Sequence, residues 1–427
     1  MNRERLDKDA INSILFFGYL PKKYDKSEFD QMFWNRCTQD ADVINSYSMM
    51  EDKELVERGC FAWDSIFKHS DVTATGAMNV VPISGGLDSR AILAGLLKSG
   101  INKKKITTIS FGVPGAYDYE IGKEIALHCG LKHISLNLDN VVISSKDLVR
   151  ALKETNYSGW VFDLFYNMLI PKMFPGKTVI WSGFMGDPIA GNHLNCLNRP
   201  NYQQAIQYFC AKNKLGLTRL CSRDYLPYEL LPEENMLDGK HLGFDDLLDF
   251  SIRQYSSIKN VVANDRDRYR MPFIDDSWAS FMLNVPRKCR YQSKLYKKIL
   301  LNYSPELFNL PISGHGMSLS ASKYAIFMKR VCSKVNGMSY RFFSRNLFEE
   351  MVDLNYIDFN VATRTRPDFI SLLTSNLENL KNRKIIDWID ISELLEEHLK
   401  GNCELGYELT LLVSIELLIK MNEENSK

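Results

Sequence analysis

Apolar residues fall along the chain in two spacings: short runs of the kind that form buried strands, and steps of three to four residues that mark one face of a helix. The run at 80–83 (VVPI) gives way to 84–89 (SGGLDS) and then to Ile92, Leu93, Leu96 and Leu97 at helical spacing. Residues 79–100 are therefore predicted to be a strand, a glycine loop and a helix. The alternation continues with a strand at 106–111 (ITTISF), a helix at 118–129 (DYEIGKEIALHC), a third strand at 133–138 and a fourth at 177–181 (KTVIW) that runs into a second glycine loop, 182–193 (SGFMGDPIAGNH). Strands alternating with helices imply an α/β fold built on a doubly wound parallel sheet, with ligands beyond the carboxyl ends of the strands. Upstream, 16–21 (FFGYLP) is apolar and stopped by proline, and 52–67 carries Leu55, Val56, Cys60, Phe61 and Ile66 at helical spacing, so 1–78 reads as a helical lead-in. Residues 79–319 form the α/β unit, and 320–427 reads as a helical extension, in which the tail from Ile370 onward alternates helical apolar positions with Lys and Glu and serves packing alone.

The two glycine loops carry the chemistry. Adjacent Gly85 and Gly86 let backbone approach a phosphate closely, and loop amides backed by a helix N-terminus make a fixed anion site. Ser84 and Ser89 add hydroxyls, whereas Asp88 suits a phosphate only with a divalent cation between them, so the loop predicts ATP with Mg2+. It is neither a G-x-x-x-x-G-K-[ST] loop nor a G-x-G-x-x-G turn. By strand polarity the second loop belongs at the same sheet edge, bringing Asp187 near Asp88 as a second carboxylate for the metal. The plainer alternative, a turn before a helix, is weakened by six ordered residues between strand and helix.

Charge and cysteine content narrow the partners. With 53 Lys and Arg against 52 Asp and Glu in 427 residues, the net charge of +1 gives no overall pull toward nucleic acid or membrane. Local cations interleave with aromatics at 287–298 (RKCRYQSKLYKK) and at Lys329, Arg330, Arg341 and Arg345, a pattern read as a solvated helix face rather than a nucleic-acid site. Nine scattered cysteines with no C-x-x-C pair fit reduced thiols and a cytoplasmic location. The apolar stretch 409–419 is broken by Glu416 and falls short of the roughly 20 residues a membrane span needs, so no span is expected.

Taken together, these stretches resemble the synthetase domain of the asparagine synthetase family and its relatives, including β-lactam synthetase and lasso-peptide cyclase. SGGLDS is similar to the PP-loop of the ATP pyrophosphatases, SFG...YDYEIGKEIA...GLKH to the family's second strand and helix, SGFMGD to its second glycine loop, and 269–276 (YRMPFIDD) to its R-x-P-F-L-D element. The likeness covers about 16–319, and LTLLVSIELL in the tail is also similar. It implies a PP-loop fold that cleaves ATP between the α and β phosphates. Ser84, Gly85, Gly86, Asp88 and Ser89 would hold the pyrophosphate, Phe111 the adenine, Ser182 and Gly183 the nucleotide, and Asp88 with Asp187 the Mg2+.

Three departures shape the expected function. The family opens with a glutaminase domain whose N-terminal cysteine releases ammonia. This chain opens Met1-Asn2, which predicts a relative without that domain, fed by ammonia, by a substrate amine or by a separate glutaminase. Phe184 stands where asparagine synthetases carry a glutamate, and 312–318 (ISGHGMS) replaces the region of the family's lysine. His315 if protonated, or Lys294, Lys297 or Lys298, is the candidate to replace that charge, and His193 to move a proton. The expected activity is an ATP-dependent carbon–nitrogen ligase that adenylates a small-molecule or sugar carboxylate. By family analogy, and because Phe184 would stack on a sugar ring, the favoured acid is a uronic acid in bacterial surface polysaccharide synthesis. The rivals are an asparagine synthase, a peptide or secondary-metabolite amide former, and a nucleotide-binding scaffold without catalysis.

Overall fold

Five parallel strands in the order β3-β2-β1-β4-β5 form the centre of the computed structural model, which describes residues 6–21, 41–69, 77–155, 157–197, 200–216, 218–237, 242–264, 268–343, 351–354 and 356–425. They are β1 (Met78–Pro82), β2 (Ile106–Gly112), β3 (Lys132–Asn137), β4 (Thr178–Trp181) and β5 (Tyr269–Arg270). The first four lie within a residue or two of the runs read from the apolar pattern. β1 pairs with β2 on one side, Asn79 opposite Ile106, and with β4 on the other, Met78 opposite Thr178. The chain thus winds outward from β1 in both directions, and the order reverses between β1 and β4. In such sheets ligands bind at the carboxyl side of that reversal.

Both faces of the central strands β1, β2 and β4 are covered, while the edge strand β3 is partly exposed and alternates apolar with polar residues. Val80, Ile109 and Ile180 pack on one face, and Val81, Ile83 and Ile106 join the larger core on the other. Helix α1 (Lys8–Phe17) is capped by Asp7, whose carboxylate accepts from the Ala10 amide at 2.8 Å. It ends at Gly18 in the left-handed region (φ 83°), so a glycine cap and not Pro21 stops this segment. Helix α2 (Asp52–His69) lies so close to α3 (Asp88–Lys98) that the Phe67 ring fills the space a side chain at Gly95 would need. Helix α4 (Tyr117–His128) follows β2, while α5 (Ser145–Thr155) and α6 (Val161–Met173) lead into β4.

The tail is integral to the fold. α11 (Pro367–Arg383) packs against α12 (Gly406–Asn425), preceded by α10 (Lys323–Phe343), while α7 (Gly186–Ala190), α8 (Phe244–Leu248) and α9 (Lys294–Tyr303) lie between β4 and the tail. In α12, Leu409, Leu411, Leu412, Val413 and Ile415 are completely buried. A helix buried all round is a core helix, and a single cluster runs from Ile11 through Val81 to Leu418, joining lead-in, sheet and tail. Among the described residues no helix is long and apolar enough to cross a membrane.

Candidate functional site

The first loop leaves β1 and turns into α3, and its polar groups have partners on three sides. The Ser84 amide donates to Ser89 Oγ at 3.2 Å, the Gly86 amide to Ser84 Oγ at 3.2 Å, and the Gly85 amide to Asp118 Oδ1 at 3.0 Å. Behind them lies Arg90, wholly buried, donating to Gly85 O at 3.3 Å, Leu307 O at 2.9 Å, Leu310 O at 3.2 Å and Pro311 O at 2.7 Å. Burial lowers its pKa to about 10, which leaves it charged at neutral pH. The Ser313 amide also donates to Gly85 O at 3.0 Å, and a Cβ at Gly85 would lie 2.8 Å from Ser313 Oγ. Glycine is therefore required where the loop meets the 307–313 segment.

The second loop closes onto the first. Ser182, buried, ties its amide to Arg270 O at 2.9 Å and accepts from the Phe184 amide at 3.2 Å. Met185 then takes a left-handed conformation (φ 69°), uncommon for a residue with a side chain, at the entry to α7. A Cβ on Gly186 would overlap the Asp88 carboxylate, and one on Gly183 would come within 3.1 Å of Asp88 Cβ. The Asp187 amide donates to Asp88 Oδ2 at 3.1 Å and the Tyr296 hydroxyl to Oδ1 at 2.9 Å. Burial, reinforced by the charge of Asp187, holds the Asp88 carboxyl well above the usual carboxylate range against those two hydrogen bonds.

Both loops open on one cavity of about 760 Å³. Part of its wall is aromatic: Trp160 from the start of α6, Tyr356, Tyr407 and Phe111 at the end of β2, whose ring lies 6.0 Å from that of Tyr356 at 17°. The Tyr356 hydroxyl donates to Asp163 and accepts from Asn167 Nδ2 at 2.9 Å, and burial raises the Asp163 carboxyl to about 6. Another part of the wall holds His193, Arg253 and Gln254. His193 Nδ1 lies 2.8 Å from Asp249 Oδ2, with Arg253 Nη1 3.5 Å from the same ring nitrogen. Burial would raise the Asp249 pKa, but His193 and, less strongly, Arg253 outweigh it and hold this carboxyl below its usual value. Asp249 and Arg253 belong to a π-helical stretch, Asp249–Ile258, that continues α8, a distortion that recurs at functional sites.

Ser84, Gly85, Gly86, Asp88, Ser89, Phe111, Ser182, Gly183, Asp187 and His193 thus line one cavity. Lys294 does not join them: it is exposed, its ammonium 5.5 Å from the Tyr291 ring centre. Lys297 donates to Gln292 O and Lys298 pairs with Asp52, so the residue of α9 that reaches Asp88 is Tyr296. His315 accepts from the Met317 amide at 3.2 Å, and burial and Arg330 lower its pKa, so this ring is neutral at pH 7 and does not replace a cation. Phe184 also lines the cavity, but it is only 2% exposed, too little for a sugar ring to stack on it. Arg345 and the side chain of Arg341 lie outside the described residues. Asp163, Arg253, Gln254 and Tyr356 escaped the motif reading because they belong to no short pattern. Tyr407 also lines the cavity, so the tail serves more than packing.

The chain matches no family model. It is similar to the asparagine synthetase [glutamine-hydrolyzing] of Gallus gallus, with 24% identity over 240 residues. The relationship is distant. The match takes in 53% of this chain and 36% of the chicken protein, so the chain spans about a third of the length of that curated relative.

Proposed function

We propose that this chain is an ATP-dependent ligase that joins a substrate carboxylate to AMP with release of pyrophosphate, then lets a nitrogen nucleophile displace AMP to form an amide. The observation carrying this reading is the convergence of two glycine loops, with Asp88 and Asp187, on one cavity at the point where the sheet order reverses. The distant likeness to an asparagine synthetase supports the same class of reaction. A carboxylate at neutral pH is a poor electrophile, and activation by ATP supplies the leaving group.

The donor set fits a divalent cation. Two carboxylates crowd together, and the charge of Asp187 helps push the Asp88 pKa up, a repulsion that a cation relieves. Mg2+ takes one or two carboxylates and completes its shell with phosphate and water, which this pair would allow. When bound, it would neutralise charge on the departing pyrophosphate. The chain's own groups do the rest. Ser84 and Ser89 present hydroxyls at the loop, and Phe111 with Tyr356 offers a flat wall for adenine. Asp249 holds the proton of His193 on Nδ1, which leaves Nε2 to accept one from the attacking nitrogen.

The nitrogen comes from ammonia or an amine. A uronic acid of a surface polysaccharide is the narrower reading of the substrate and rests on the family resemblance, since Phe184 gives a sugar ring no platform. Exchange of radiolabelled pyrophosphate into ATP, run with panels of amino, sugar and peptide acids, tests the activity. Acid-dependent exchange is expected. Tight ATP binding with no exchange for any acid would instead identify a nucleotide-binding scaffold, which the buried Phe184 and the outward lysines of α9 favour as the second reading.

A further inference from the structure

Helix α10 stands apart from the rest of the molecule in composition. Its sequence, KYAIFMKRVCSKVNGMSYRFF, contains five cations and no acidic residue, in a chain whose net charge is only +1. Tyr324, Phe327, Met328, Val331 and Val335 recur at steps of three and four and so share one face, and all five are exposed, Tyr324 by 72% and Phe327 by 61%. Ala325, Ile326, Lys329 and Ser333 are the more covered residues, so it is the opposite side that turns toward the body of the protein. Lys323, Arg330 and Lys334 line one edge of the apolar face, and among the described residues none of them has an ion-pair partner.

A second copy of this helix is a poor occupant for the face, because two such helices would bring like charges together. A face that joins two aromatic rings to Met and Val, bordered by cations with no acid to set the register of a partner helix, has the composition of helices that lie in the interface of anionic membranes. Each Lys or Arg held near such a surface adds attraction, and the apolar side chains enter the boundary between headgroups and acyl chains. We propose that α10 docks this protein on an anionic lipid surface, with Tyr324, Phe327, Met328, Val331 and Val335 seated in the lipid and Lys323, Arg330 and Lys334 at the lipid phosphates. The helix lies on the bilayer and does not cross it.

The test is co-sedimentation of the full chain with vesicles of phosphatidylcholine alone and of phosphatidylcholine mixed equally with phosphatidylglycerol. Binding is expected to the mixed vesicles only, weakening as salt is raised. Lys323→Glu with Lys334→Glu, and separately Phe327→Ser with Val331→Ser, should each reduce the bound fraction roughly tenfold. Circular dichroism and pyrophosphate exchange should stay as in the parent, since these positions lie away from the cavity. No sedimentation with the mixed vesicles, equal binding to both kinds, or undiminished binding by the variants would overturn the proposal. So would a dimer in sedimentation equilibrium that Phe327→Ser with Val331→Ser dissociates, which would make the face a protein contact.

Discussion

Asp88 is held in a position that costs the folded chain free energy. Its side chain is wedged between Gly183 at Cβ and Gly186 at the carboxylate, which accepts from Tyr296 and from the Asp187 amide and has a pKa raised by burial and by a neighbouring negative charge. A carboxyl whose pKa is higher folded than unfolded contributes stability at low pH and loses it as pH rises, so at pH 7 its charge weighs against folding. Asp88→Asn should accordingly raise stability at pH 7 by about 1 kcal/mol in urea unfolding while abolishing Mg-ATP binding in calorimetry. A variant that is destabilised and still binds would show that the carboxylate serves the fold and not the ligand. Tyr296→Phe removes a donor that favours the anion, so the Asp88 pKa should rise further and the acid limb of the pH–rate profile should move to higher pH. An unmoved limb would separate Tyr296 from the chemistry. Gly186→Ala, which forces a methyl group into the carboxylate, should cost about 1–3 kcal/mol and nucleotide affinity together.

Among the elements, strands and glycine loops were legible because their signals are local: apolar runs, adjacent glycines, and helical spacing resuming at once. What could not be read was placed by long-range contact or by departure from regular geometry. Arg253 and Gln254 face the cavity from a π-helical stretch, where the wider turn changes which residues share a face, so a pattern read at 3.6 residues per turn misassigns them. Tyr296 sits among lysines that all looked better suited to a phosphate, yet it is the tyrosine and not a lysine that reaches Asp88. Tyr356 owes its place to a left-handed backbone (φ 68°) that brings its hydroxyl onto Asp163 at the start of α6. That pair has its own pH signature. Between the unfolded carboxyl's pKa near about 4 and the folded value of about 6, the folded chain keeps a proton the unfolded chain has shed, so this part of the stability is present at low pH and fades as pH rises through 6. The loss is at most about 3 kcal/mol, and Asp163→Asn should flatten it in urea titrations across that range.

Across the whole molecule, the C-terminal helix braces the cavity it follows by so many residues. Trp160 Nε1 donates to Thr410 Oγ1 at 3.1 Å and the Val161 amide to Ser414 Oγ at 3.2 Å, fixing the aromatic wall to α12. On the same helix Glu416 is completely buried, held by Arg383 at 2.7 Å and, further off, by Lys420 at 3.5 Å. Arg383→Ala should cost about 3–5 kcal/mol in urea unfolding by stranding that charge, and Glu416→Gln distinctly less. The clamp on the first loop has a consequence in time. Arg90 donates to the carbonyls of Leu307, Leu310 and Pro311, and the Gly85 carbonyl accepts from the Ser313 amide. While the chain is growing on a ribosome, the strand, loop and early helices exist long before those carbonyls have been made. The first loop thus reaches its full set of contacts only after residues 307–313 have been made.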